Sequence, residues 1–180
     1  MPHQGSAPHR REALLRLAAE LPDLDAEVAD PLLAERLHAF GVALGHALVD
    51  LADGRDHPTV HTAWPSRPTT RRPPRARATD VDLASCSAVA ARWREATAAA
   101  SGAGPAPLAA RVTTAVEVAC AALQGYVQDV AEVRRADPGA RLPQELTTRL
   151  QQQLRRAHDL VAAAGEPGRT GTGRGTTVPP

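Results

Sequence analysis

Apolar residues recur at intervals of three and four over five segments of the chain, which is the spacing of one face of an α-helix. The segments predict helices at about 10–21, 31–53, 80–101, 107–136 and 143–164. The strict alternation of apolar and polar residues that marks a half-buried β-strand is missing from the sequence. We therefore expect an all-α protein.

The segment 108–135 is the longest uninterrupted helical segment, and its apolar residues cover roughly 140° of the helix, more than the ~100° of an ordinary surface helix. One facing helix cannot cover so wide an arc, so at least two neighbours are needed. We expect the helices 80–101 and 143–164 to flank it and the helix 31–53 to close an up-down four-helix bundle. The helix 10–21 is a short extra element, and Val118 is expected to be a stray exposed residue.

Local signals delimit these helices and separate them from irregular chain. Asp30-Pro31 is an N-cap acceptor followed by a proline suited to the first helical position, and Gly54 is a C-terminal stop. Five prolines make residues 54–79 irregular. We expect residues 1–9 to be flexible, residues 10–165 to form one domain and residues 166–180 to be disordered, because the last lack an apolar face.

Charge is distributed unevenly along the chain. The formal net charge is +1, yet residues 55–77 contain six arginines and one aspartate. Such a segment is an inert linker, a docking segment for an acidic protein surface, or a binder of nucleic acid phosphates in which Trp64 stacks on a base. The predicted basic patch within 66–78 consists of Arg67, Arg71, Arg72, Arg75 and Arg77.

The predicted helix 31–53 has a second, weaker face in addition to its leucine stripe. That face is the predicted interaction surface, formed by His38, Gly41, Val42, Gly45 and Val49. A glycine inside a helix costs about 1 kcal/mol relative to alanine, so a pair one turn apart calls for an explanation. Close approach of a helix of the same chain is one explanation, and contact with a second copy is the other.

Two cysteines lie at similar heights on a predicted helical hairpin, Cys86 on one helix and Cys120 on the next. Bundle helices are separated by about 8–10 Å, whereas a disulfide needs Cα atoms within about 7 Å. We therefore expect two buried thiols.

No catalytic, cofactor-binding or metal-binding residue is predicted. His57 and His61 have a ligand spacing but flank Pro58 and lack a carboxylate cluster. Glu35 and His38 match the Glu-x-x-His motif of di-iron bundles, which needs two copies and further glutamates. His46 and His158 fall near the polar edges of their helices and are expected at the surface.

These observations favour a non-enzymatic helical bundle that binds a protein partner or self-associates. One alternative is a nucleic-acid-associated accessory protein that uses the basic segment 66–78. Another is a small-molecule-binding or enzymatic bundle with a cavity between its helices. No cofactor and no membrane association are expected, and a cytoplasmic location is predicted because the sequence shows no signal peptide and no run of 18 apolar residues.

Overall fold

A computed structural model describes residues 6–25, 28, 30–65 and 80–162, and these form helices and connections without a β-strand. The all-α prediction is confirmed. The predicted disordered tail 166–180 and the basic segment 66–78 lie outside the described residues. The five helices are α1 (Ser6–Glu20), α2 (Pro31–Ala52), α3 (Asp80–Ala100), α4 (Ala106–Ala136) and α5 (Gln144–Ala162), with a 3-10 turn at Leu21–Asp23 after α1.

The capping signals act as the sequence indicates. The Asp30 carboxylate accepts hydrogen bonds from the backbone nitrogens of Leu32 (2.9 Å) and Leu33 (3.4 Å), which satisfies donors that have no partner within the first turn. Gly54 follows α2 with φ at +75°, in the left-handed region that favours glycine. The helix α1 begins at Ser6, four residues before the predicted start, because a proline in the first turn (Pro8) lacks only an N–H that would be unpaired there anyway.

The helix α4 packs against α3 on one side and α5 on the other, as its wide apolar arc predicts. On the far side of the bundle α2 packs against α5 and α1, and α1 also contacts α3. The short first helix is therefore a full member of the bundle, which it closes between α2 and α3. Phe40 of α2 and Trp93 of α3 meet edge to face at the centre, with ring centroids 4.6 Å apart and both side chains fully buried.

The connection between α2 and α3 departs from up-down alternation, because these two helices run in the same direction. A Cβ placed on Gly104, just after α3, would lie 2.8 Å from the carbonyl oxygen of Leu51 at the end of α2. The guanidinium of Arg10, near the start of α1, donates to the Gly102 carbonyl oxygen (2.6 Å). Both helices therefore end at the same end of the bundle, and the chain must return along its length between them.

Two of the helices are long and apolar enough to span a membrane by length and composition alone. They are α2, whose 18-residue window has a mean hydropathy of 1.2 and is 61% buried in the protein, and α4, whose window has a mean hydropathy of 1.4 and is 39% buried. The core helices of water-soluble bundles meet the same criteria. A smaller share of the window is therefore buried in α4 than in α2.

Candidate functional site

The predicted interaction surface on α2 is divided between buried and exposed residues. Gly41 is buried under the 3-10 turn that follows α1, where a Cβ would lie 2.5 Å from the Leu21 carbonyl oxygen, and Gly45 is buried under α1, where a Cβ would lie 2.9 Å from the Ala18 carbonyl oxygen. Val42 and Val49 are half-buried. His38 is exposed, and its Nδ1 lies 2.7 Å from the Pro22 carbonyl oxygen. The close approach that the two glycines require is made by a helix of the same chain.

The predicted basic patch Arg67, Arg71, Arg72, Arg75 and Arg77 lies outside the described residues. The cysteines are within them and occupy the predicted core positions on α3 and α4. Both are buried and neither forms a disulfide. The Cys120 thiol donates to the Ala90 carbonyl oxygen (3.4 Å), and burial raises the pKa of this thiol above its ordinary value.

The first half of the predicted irregular segment is fixed to α2 by polar side chains of that helix. Asp50, which is 1% exposed, accepts hydrogen bonds from the Thr59 backbone nitrogen (2.9 Å), the Thr59 hydroxyl (2.7 Å) and the Arg55 guanidinium (2.6 Å). Burial alone would raise the pKa of this carboxyl group, but the hydrogen bonds outweigh it and lower the pKa. One turn earlier, His46 Nδ1 lies 3.2 Å from the Thr62 hydroxyl. Residues 53–65 thus run back along α2.

Residues 53–65 end at a cluster of side chains between α2 and α5, formed by Arg36, Trp64 and His158. The sequence did not predict this cluster. The indole of Trp64 lies against the guanidinium of Arg36, with 5.2 Å between Arg36 Cζ and the ring centroid. Arg36 also donates to the Pro65 carbonyl oxygen. On its other side Trp64 meets His158 of α5 edge to face, with ring centroids 5.2 Å apart. The half-buried Trp64 side chain therefore anchors residues 53–65 to α2 and α5.

His158 was expected at the surface, and this expectation is wrong, because Trp64 and its segment cover it. The histidine is 2% exposed, and its Nε2 is buried without a hydrogen-bond partner in the described part of the chain. Burial lowers its pKa, partly offset by the neighbouring Asp159, whose Oδ1 lies 3.3 Å from Nδ1. In the folded protein a neutral imidazole is therefore favoured at this position.

Beside the cluster is an open cleft of about 320 Å³, which we call the Trp64 cleft. Its walls are Arg36, Trp64 and Pro65 on one side and Thr148, Gln151, Gln152 and Arg155 of α5 on the other. Among the described residues, the walls contain two arginines, four neutral side chains able to donate hydrogen bonds and no carboxylate. The chemistry of these side chains suits an anion.

A second, larger groove of about 400 Å³ lies on the opposite side of α5, between α5 and α4, and we call it the α4–α5 groove. Its apolar floor on α4 consists of Val118, Ala121, Ala122 and Gly125. The walls on α5 include Leu146 and Leu150, and Asp129 and Arg149 face each other at its rim, 3.4 Å apart. Val118 is half-buried in this groove rather than fully exposed as expected.

Of the remaining histidine candidates, neither His57 nor His61 lines either surface, although His61 lies close enough to His158 for the two to interact electrostatically. His57 Nδ1 is 2.5 Å from the neighbouring Asp56 carboxylate, and both side chains are exposed. Among residues 6–25, 28, 30–65 and 80–162, no three His, Cys, Asp or Glu side chains are grouped as metal ligands would be.

A sequence signal for the Trp64 cleft did exist, on the apolar face of α2. Arg36 follows Leu33 of the leucine stripe by three residues, and Asp50 follows Ala47 by three residues. Both charged residues are buried. A charged residue that interrupts a core face needs a partner from elsewhere in the chain.

Comparison of the chain with protein-family models, with curated proteins and with solved structures gives no match.

Proposed function

We propose that this protein acts by binding rather than by catalysis, and that it self-associates in the cytoplasm through the α4–α5 groove. The observation that carries the proposal is Gly125, a glycine inside a long helix at the floor of the groove. A Cβ placed on Gly125 would have no atom of the described residues within 4 Å. Packing among the described helices therefore gives no reason for a residue that costs about 1 kcal/mol relative to alanine.

The other glycines inside helices provide the comparison. Gly41 lies under the backbone of the 3-10 turn that follows α1 and Gly45 under the backbone of α1, where a Cβ would clash. If the same physical reason applies to Gly125, a backbone or a large side chain must approach α4 from outside. The neighbouring floor residues Ala121 and Ala122 are also small, which permits close approach of a second helix.

The occupant of the groove has to come from another polypeptide. The segments 66–79 and 163–180 contain only one branched or aromatic apolar residue, Val178, and so offer little to bury in an apolar groove. A second copy fits the charges at the rim, because Asp129 and Arg149 supply both signs on one surface. Under two-fold symmetry the Arg149 of each copy can face Asp129 of the other, as an isologous interface requires.

The test is the mass of the protein in solution, by light scattering or sedimentation, from about 2 to about 200 µM. We expect a dimer whose population rises with concentration. The variant Gly125→Lys places a long side chain in the groove without an intrachain clash, and its charge can pair with Asp129 one turn away. It should remain folded and become monomeric.

The matched control is Ala98→Lys, at an exposed position of α3 away from the groove. It introduces the same side chain and charge but should leave the dimer intact. A wild-type protein that is monomeric at the highest concentration, or a dimer that both variants weaken equally, would contradict the proposal.

A further inference from the structure

The Trp64 cleft contains a buried positive charge whose neutralising partner is missing from the described part of the chain. Arg36 is 7% exposed, and no described carboxylate lies within ion-pair distance of it. Its partners are neutral: the Pro65 carbonyl oxygen and the face of Trp64. Its Nε is buried with no hydrogen-bond partner among the described residues.

An arginine remains charged at every physiological pH. Taking that charge out of water is costly unless an opposite charge compensates for it. A carbonyl oxygen and an aromatic face compensate only in part. The environment of Arg36 is therefore favourable for an anion that the described part of the chain does not supply.

The side chains on the opposite wall of the cleft are also favourable for binding an anion. Arg155 is exposed over 66% of its side chain and lies 4.0 Å from Asp159, too far for a strong hydrogen bond. Thr148, Gln151 and Gln152 line the same wall and can donate hydrogen bonds. The chain that follows Pro65, residues 66–79, contains five arginines and no Asp or Glu, so its sequence cannot supply the missing carboxylate.

We propose that the Trp64 cleft binds a small organic oxyanion, a phosphate or carboxylate group held between Arg36 and Arg155. Both arginines present planar pairs of donors that match such groups. A volume of about 320 Å³ is within the range of small-molecule sites. This site is independent of the α4–α5 groove, and its failure would leave the self-association proposal untouched.

The experiment is a tryptophan fluorescence titration of the full chain at constant ionic strength. Trp93 is fully buried in the core, so a ligand-dependent change reports on Trp64, and the variant Trp64→Phe should abolish it. The probes are inorganic phosphate, phenyl phosphate and benzoate. We expect a saturable change with at least one of them, and the comparison of phenyl phosphate with benzoate assigns the preferred oxyanion.

The decisive variant is Arg155→Gln, because this exposed side chain can be changed without disturbing the core. It should weaken binding about tenfold, as expected for loss of a charge-assisted hydrogen bond. The matched control Arg156→Gln removes the same charge from the adjacent position, which does not line the cleft, and should leave the affinity unchanged within about twofold. Arg36→Met should abolish the response.

Two results would overturn the proposal. One is the absence of a saturable change with all three probes. The other is equal weakening by Arg155→Gln and Arg156→Gln, which would show attraction to the general surface charge and no site.

Discussion

The guanidinium of Arg36 lies over the indole of Trp64, 5.2 Å from its centroid, although the two residues are separated by 28 positions in sequence. This contact joins the end of the returning segment to the first half of α2. It creates one wall of the Trp64 cleft, and with it the buried environment of His158 on α5. A single aromatic side chain thus connects an irregular segment, two helices and a candidate site.

Removal of that side chain should loosen the segment without unfolding the bundle. We expect Trp64→Ala to reduce the free energy of unfolding by about 2 kcal/mol, below the usual 3–5 kcal/mol for a fully buried aromatic residue, because Trp64 is only half-buried. Urea denaturation measures the loss, and amide hydrogen exchange should become faster over residues 55–65. Trp64→Phe should retain part of both effects, and unchanged exchange in Trp64→Ala would mean that the anchor lies elsewhere.

The three glycines inside helices should respond to alanine with different signs. Gly41→Ala places a methyl group against the backbone of the 3-10 turn and Gly45→Ala against that of α1, and overpacking costs about 1–3 kcal/mol. The gain in helix propensity of about 1 kcal/mol does not offset this at Gly41, where the clash is closer. Gly125→Ala has no such clash and should stabilise the monomer by about 0.5–1 kcal/mol. Urea unfolding of all three variants, at a concentration where the protein is monomeric, provides the comparison; stabilisation by Gly41→Ala would be incompatible with the close helix approach.

We expect Asp50 to contribute more than any other residue to holding residues 53–65 along α2. Asp50→Ala removes a buried carboxylate that accepts hydrogen bonds from Arg55 and from both donors of Thr59. Since hydrogen bonds to charged groups contribute about 1.5–3 kcal/mol each and are not additive, we expect a loss of about 3 kcal/mol in thermal or urea unfolding. The control is Asp53→Ala, a more exposed carboxylate paired with Arg11 and Arg55, which should cost less than about 1 kcal/mol.

The protein should become less stable in mild acid because of His158. Its pKa is lowered by burial, so below about pH 6.5 the unfolded chain binds a proton that the folded protein resists. The stability that this histidine contributes is complete above the unfolded pKa and is lost as pH falls through and below that value. The groups that face it are Asp159, His61 and Arg155.

Urea midpoints of the wild type and of His158→Leu, measured between about pH 7.5 and about pH 5.5, test this dependence. The variant cannot be protonated at this position, so its midpoint should fall less over that range. Parallel pH profiles for the two proteins would show that His158 is not responsible.

The amino-acid sequence by itself determined the helices, their core faces and several of their ends. The leucine stripe of α2, from Leu33 to Leu51, is buried as predicted, and Asp30 caps the helix that follows it. These features are local. Helical periodicity and N-capping involve residues within four positions of one another, so the chain specifies them before any helix meets another.

Only the tertiary structure decided which surfaces remain open and which polar side chains are buried. Gly45 is covered by α1 and Gly41 by the turn that follows it, whereas Gly125 lies at an open groove, and the local sequence does not show what covers each glycine. The burial of His158 depends on Trp64, which is 94 positions away along the chain. The cover over each glycine and over His158 depends on how the helices are arranged. The parallel direction of α2 and α3 in turn depends on residues 53–65, which run back along α2. The hydrogen bonds of Thr59 with Asp50 hold this segment against α2, and they join residues further apart than the four positions that local helical signals cover.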